Sequence, residues 1–537
     1  MRKLSLIVLS LILLLSLFSC NNSDTPIIPD NNDIPNLDNN KDDEEKPFES
    51  YLNIEKVENL SDDFILGVDA SSVISLEDAN VKYYNHDNKE EDVFKILNDN
   101  GVNYIRVRVW NNPYDKNGNG YGGGNSDIEK ALKIGIRATK YNMKLLVDFH
   151  YSDFWADPGK QMVPKAWSDL NINDKKSALY NFTKDSLQLL KNNNVDVGMV
   201  QIGNETNGSF CGEISWNNIA KLMDEGIKAT KEVYPNSLTA IHFTNPEKEG
   251  LYEYFTAELA KYNLNYDVFA SSYYPYWHGT LDNLYNVLNN ISTKYNKKVM
   301  VVENSYAYTT DDSDYYGNTI GSNSQKTNYP FTIEGQATQI RDVIDTVNKI
   351  EGGIGYFYWE APWISVGSHS YDQNREKWQK YGCGWATSYA SEYDLNDAGK
   401  YYGGNAVDNQ ALFDSNGKAL ESLKVFKLIK TGKTNTTNEM SDKMKYFNFN
   451  NNINNGDTIL TKFNGKDLIL IDLNEYDGPI TMQLLPYGGI QSVFNYNLII
   501  HFKNGYFNPS KVIYNNQEMS VKEFIIKHDN LVNYVLG

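Results

Sequence analysis

From Phe64 onward the chain alternates short apolar runs with stretches of helical period. Phe64 to Asp69 reads as a strand, and Val93, Phe94, Ile96 and Leu97 line one face of a helix. Tyr104 to Trp110 is the next strand, closed by Asn111-Asn112-Pro113. A helix through Ile128, Leu132, Ile136 and Ala138 follows, with Ser126 and Glu129 expected to open it as a capping box. Further strands are expected at Lys144 to His150, Val195 to Ile202, Ser237 to Phe243, Tyr266 to Tyr273, Lys298 to Glu303 and Gly353 to Glu360. Helices Ala178 to Leu190 and Ile219 to Val233 sit between them. Eight strands alternating with helices over Phe64 to about Leu428 predict an α/β fold, a (β/α)8 TIM barrel. An open doubly wound sheet competes. However, Gly118 to Gly124 lacks the order of a phosphate-binding loop, and no strand feeds it directly.

The flanks differ in kind. Met1-Arg2-Lys3 and the apolar run Leu4 to Phe18 form a signal peptide, too short for a stable membrane span, ending in Leu17-Phe18-Ser19-Cys20. Residues 21–50 are a polar, disordered tether rich in Asn, Asp, Pro and Lys. The barrel occupies 51–430, and a Thr- and Asn-rich linker spans 431–442. Short strand-like runs across 443–537 read as a small C-terminal all-β module without a ligand signature.

A formal charge of −19 argues against nucleic acid and makes a neutral polymer easier to accommodate than a polyanion. Aromatic residues make up 13% of the chain, which suits stacking on sugar rings without deciding it. Only Cys20, Cys211 and Cys383 carry thiols, so there is neither a disulfide framework nor a CxxC zinc site. Cys211 and Cys383 fall in loops after the fourth and eighth strands, where unpaired thiols are the default and a bond between them stays open.

Two of the apolar runs deliver a glutamate at the carboxyl end, Glu205 in Gly203-Asn204-Glu205 and Glu303 in Val302-Glu303-Asn304. Barrel chemistry sits at those ends. Two carboxyl groups there are the apparatus of glycoside hydrolysis, standing about 5–5.5 Å apart in a retaining enzyme. The acid must be buried or beside an anion to keep its proton, and the nucleophile needs a cation or donors to stay ionised. Arg108 can supply that cation, and Asn204 can hold a sugar hydroxyl beside the reacting carbon. Arg106 and Arg108 are expected to face opposite ways, one at the rim and one under a helix, with motif position alone favouring Arg108. His150 reads either as a sugar contact or as a structural histidine bonded to Asp148.

Several long motifs occur in order: Arg106 to Pro113, Asp148 to Gln161, Asn204-Glu205, Glu303 to Tyr306, Tyr358-Trp359-Glu360, Gly384 to Ser388 and Asn409 to Asp414. Together, from about Gly67 to Phe426, they resemble the family-53 endo-β-1,4-galactanases. The resemblance implies internal, retaining cleavage of β-1,4-galactan, with Glu205 as acid/base and Glu303 as nucleophile. It implies that Arg108, His150, Asn204 and Trp359 surround the sugar, with Trp155, Trp363 and Trp385 as aromatic platforms. No cofactor is required for the chemistry. Asp312, Asp314 and Asn318 offer oxygen ligands at the place where some bacterial members hold structural calcium; an Asp-rich solvated loop is the other reading. Leu17 to Cys20 resembles a lipobox, which implies a lipid-anchored monomer on the cell envelope, at the outer membrane or cell surface. A related mannanase, xylanase or glucanase, or a non-catalytic glycan-binding lipoprotein, are the competing functions.

Overall fold

The computed structural model describes residues 54–321, 327–367 and 370–432, with Ser50 and Leu52, and the backbone of six strands between 458 and 519. The signal peptide with Cys20, the tether through residue 49 and the linker beyond residue 432 lie outside the described residues.

Eight parallel strands close into a barrel in chain order. They are β1 (Ile65–Asp69), β2 (Tyr104–Val109), β3 (Lys144–Phe149), β4 (Val197–Ile202), β5 (Leu238–Phe243), β6 (Val268–Ser272), β7 (Lys298–Glu303) and β8 (Gly353–Tyr358). Long helices, including Ile128–Lys140, Ile172–Asn192, Trp216–Val233 and Ile333–Asn348, alternate with them. The helix at Ile128 starts differently from the expectation. Its cap is Asp127, whose carboxylate accepts the Lys130 amide at 2.9 Å, while Ser126 Oγ donates to Gly123 O. A carboxylate at the cap also meets the positive end of the helix dipole, so it outcompetes the hydroxyl one residue earlier. Farther along, six strands pair antiparallel, Thr458–Phe463 with Lys466–Ile471, and Gly478–Met482, Leu498–Phe502, Pro509–Tyr514 and Gln517–Met519 in one sheet.

Residues two apart on a strand point the same way, so each barrel strand contributes one inward row. The lower part of those rows is hydrocarbon: Tyr104, Leu146, Met199, Ala240, Val268 and Phe357 form one buried cluster. Toward the carboxyl ends the rows become polar, with Arg106, Asp148, Gln201, His242 and Ser272, all buried. An irregularity between Ser271 and Ser272 slips the β6–β7 register, pairing Ser272 with Glu303. The fold therefore lays a charged layer on an apolar plug, where water is scarce and charges interact strongly. Gly67 makes room for Phe357 in that plug; a Cβ at 67 would fall 2.2 Å from the ring. Gly67→Ala is accordingly expected to cost roughly 1–3 kcal/mol, read as a lower urea midpoint at unchanged slope.

Candidate active site

Above the charged layer a cavity of about 290 Å³ opens to solvent. The structure brings to its wall the two glutamates Glu205 and Glu303, the four residues expected around the sugar, Arg108, His150, Asn204 and Trp359, and the three expected platforms, Trp155, Trp363 and Trp385. Arg106, Asp157, Lys160 and Asp397 line it too.

Glu303 ends β7 and is almost fully buried. Its Oε1 sits 2.7 Å from Arg106 Nη2, and its Oε2 accepts the Tyr274 hydroxyl at 3.2 Å. The cation beside it is thus Arg106, which corrects the assignment to Arg108. Arg106 and Arg108 are two apart on β2 and face the same interior, so the expectation of opposite faces fails on the period of the strand. Depth separates them instead. Arg106, lower in the barrel, also reaches Asp69 at 3.0 Å, Asp148 at 2.8 Å and Asn204 Oδ1 at 3.0 Å. Arg108, one layer up, pairs with Glu360, donates to Gly123 O at 2.6 Å and lies 4.3 Å beneath the Trp155 ring. Arg108 therefore anchors the aromatic wall rather than the nucleophile.

Glu205 lies just beyond β4 with a left-handed φ of 46°. Tyr151 and Glu360, at the ends of β3 and β8, share that conformation at φ 51° and 49°. Non-glycine residues there cost of order 1–3 kcal/mol, and here they follow the carboxyl ends of three barrel strands, Glu205 alone of the three lining the cavity. Glu205 Oε1 is 2.7 Å from Ser272 Oγ. Burial, then the Glu303 charge, pushes its carboxyl up to about 8. Burial also raises Glu303, but Arg106 opposes that rise. A single proton shared by the pair accordingly resides on Glu205, leaving Glu303 ionised. A buried acid facing an ionised, cation-bound carboxylate can protonate a departing oxygen on one side of a sugar while the other attacks.

The remaining residues divide. His150 has both ring nitrogens taken: Nδ1 accepts Trp110 Nε1 and the Ala156 amide, and Nε2 lies 3.0 Å from Asp148 Oδ2. It forms cavity wall with no nitrogen free for sugar. Asn204 holds its amide by donating to Ala156 O at 2.9 Å. Trp363 is buried, stacked 6.3 Å from Trp155, and so backs the wall, whereas Trp155, Trp359 and Trp385 are partly exposed. Tyr274, His242 and Ser272 escaped the sequence reading. Their signal was polar residues closing otherwise apolar strands, the pattern that marked the glutamates.

Asp312 and Asp314 come together with Asp408, ligand oxygens within 4.8 Å of one another. Asp408 Oδ1 and Asn318 Oδ1 are buried without a hydrogen-bond partner. Burial, then Asp314, raises Asp408 to about 8. Clustered hard oxygens with orphaned lone pairs fit a calcium-sized cation, and Asp408 completes a set the sequence reading left short. The Asp314 carboxylate also accepts the Tyr316 amide, and the Tyr316 hydroxyl accepts Trp385 Nε1 at 2.8 Å, so the cluster is tied to the aromatic wall. Cys211 and Cys383 are both buried free thiols.

A family model described as glycosyl hydrolase family 53 matches residues 65–426. An endo-beta-1,4-galactanase of Bacillus subtilis is 55% identical over 70% of this chain and 88% of its own length. The arabinogalactan endo-beta-1,4-galactanase of Cellvibrio japonicus is 33% identical over 56% of this chain and 81% of its own. Among solved structures, the Ignisphaera aggregans GH53 catalytic domain superposes with a TM-score of 0.63 at 40% identity, covering 70% of this chain and 99% of that one.

Proposed function

The chain belongs to glycosyl hydrolase family 53, and we propose that it cuts β-1,4-galactan internally with retention, Glu205 serving as acid/base and Glu303 as nucleophile. The observation that carries the reading is the pair of unlike carboxyls in one aromatic-walled cavity, one raised to keep a proton and one bound to Arg106. The galactanase names of its relatives give the substrate. In the first half-reaction Glu303 bonds to the anomeric carbon as the bond to the leaving sugar breaks, and the departing oxygen takes the Glu205 proton. In the second, water gives a proton to Glu205 and its oxygen displaces Glu303, restoring both groups. Arg106 and Tyr274 keep Glu303 ionised and aimed, and Asn204 presents its amide to the neighbouring hydroxyl.

Products followed over time on linear galactan, mannan and xylan test this. Long galactooligosaccharides should appear first. Galactose alone from the start would mean exo-action, and no release from galactan would remove the assignment.

A structural calcium, held by Asp312, Asp314, Asn318 and Asp408, belongs to this reading. It supplies charge neutralisation to the loop that carries Tyr316, and no catalytic step. Chelation should lower the melting temperature by about 5 °C and raise KM more than it lowers kcat, because the wall at Trp385 loosens while the glutamates stay put. Calcium, but not sodium, should reverse both changes; indifference to chelator rejects the ion. The lipobox-like Leu17 to Cys20 supports a lipid anchor that holds the enzyme on the cell envelope. Cys20→Ser should move activity from the membrane fraction to the soluble one, and unchanged membrane association would reject the anchor.

A further inference from the structure

Glu205 is useful as an acid only while its proton is held at a defined place, and three buried side chains lead away from it in line. Its Oε1 is 2.7 Å from Ser272 Oγ, which is 2.9 Å from His242 Nε2; His242 Nδ1 is 2.9 Å from Asn204 Oδ1. Ser272 and His242 are fully buried.

The direction of this line follows from its far end. The Asn204 amide cannot turn round, because its nitrogen donates to Ala156 O and its oxygen accepts Arg106 Nη2. An amide oxygen only accepts, so the 2.9 Å contact carries a hydrogen if His242 Nδ1 bears it. A neutral imidazole protonated at Nδ1 presents a lone pair at Nε2. With Nε2 bare, the Ser272 hydrogen points there instead of along the 2.7 Å contact, where it would donate to an ionised Glu205 and lower its pKa. The serine oxygen therefore meets Glu205 as an acceptor, suited to a protonated carboxyl. Burial, then Arg106 and His150, holds the His242 pKa well below the ordinary histidine range, which keeps the ring neutral. Two N–H groups oppose this assignment at Nδ1: Gln201 Nε2 lies 3.1 Å away, and the Glu205 amide donates to Nδ1 at 3.3 Å. The Gln201 hydrogens are directed to Asp148 Oδ1 at 2.7 Å and Gly203 O at 3.0 Å. The Glu205 amide does point at Nδ1, but its 3.3 Å bond is long and weak, whereas the 2.9 Å Asn204 contact would be repulsive between two bare acceptors, so the Asn204 contact sets the tautomer.

We propose that Asn204, His242 and Ser272 form a one-way hydrogen-bond chain that keeps the acid proton on Glu205, making His242 and Ser272 positioning residues for the protonated acid. This rests on Glu205 being the acid/base. Once its proton has gone to the leaving oxygen, the Ser272 lone pair faces a carboxylate, which favours recovery of a proton from the incoming water.

The other groups acting on Glu205 are Glu303 on β7, Asp157 after β3 and the Thr244 hydroxyl after β5. Tyr274 after β6 and Tyr252 on the helix Leu251–Lys261 are the phenols near enough to feel its charge. None of them changes in the variants below.

The sign of one shift decides. Losing an acceptor of the acid proton lowers the Glu205 pKa; losing a donor to its carboxylate raises it. Ser272→Ala should therefore move the alkaline limb of kcat/KM on galactan down by about one pH unit and cut kcat on the order of tenfold, with KM nearly unchanged. An aryl β-galactobioside with a dinitrophenolate leaving group, which departs without a proton, should lose less than about threefold. Ser272→Thr, which keeps the hydroxyl, should return the limb toward its original position. A limb that moves up or stays, or equal losses on both substrates, overturns the chain. Nitrogen NMR of the unsubstituted enzyme gives an independent check. His242 should show a protonated Nδ1 and a bare Nε2, and the opposite tautomer overturns the proposal without any variant. A parent that fails to cut galactan would count against the functional reading instead, while a wrong-way limb in an active parent counts against the chain alone.

Discussion

Glu303→Gln should lower turnover of linear galactan on the order of 10⁵-fold, because Glu303 is the buried carboxylate that Arg106 keeps ionised for attack. Glu205→Gln should cost about 10²–10⁴-fold on galactan, and much less on aryl glycosides whose leaving group needs no proton. Both should hold galactooligosaccharides within about tenfold of the parent, since the rest of the cavity lining, its tryptophans included, is unchanged. The parent requires Glu205 protonated and Glu303 ionised. Because Glu205 is raised to about 8, kcat/KM should hold through neutrality and fall as the pH rises through that value. The Glu205 variant should lack that fall. Steady-state kinetics beside calorimetric binding checks these outcomes. Variants that release product as the parent does would point to a glycan receptor instead.

Arg106→Met should be the most destabilising single change in the charged layer. It leaves Asp69, Asp148 and Glu303 buried without their shared cation, a loss of about 3–5 kcal/mol in urea unfolding. The acid limb of kcat/KM should also move to higher pH. Glu303 must be ionised to attack, the guanidinium stabilises its charged form, and removing that cation raises its pKa. Arg108→Met is the contrast. It strands Glu360 and unseats Trp155, so stability and KM should suffer while the acid limb stays. A limb that moves with Arg108 and not with Arg106 would reverse the assignment made from the geometry.

How far the sequence carries this picture depends on the range of the interaction concerned. The strands were readable because a buried parallel strand is a continuous apolar run, and the glutamates because they interrupt such runs at the end where barrels keep their chemistry. Residues 204, 205 and 303 sit inside long motifs, so their convergence on one cavity needed only the closure of the barrel. Which arginine meets Glu303 turned on a simpler matter, the two-residue period of a strand, and on depth, which a linear pattern does not display. Asp408 joins Asp312 and Asp314 from some distance along the chain, a contact that exists only after the eighth strand has been laid down. Trp363 looks like its exposed neighbours in the sequence; only packing shows that it stands behind Trp155.

The three left-handed residues beyond the strand ends carry a further consequence. Tyr151, Glu205 and Glu360 hold a backbone shape that asparagine or glycine would adopt with less resistance. Selection for endurance alone would therefore erode position 205 first, since a replacement there relieves both a contorted main chain and a carboxyl stripped of water. That the chain keeps glutamate in so unwelcoming a place is thermodynamic rent for its chemistry, and lifting heat resistance without losing activity would have to begin elsewhere, in the outer helices.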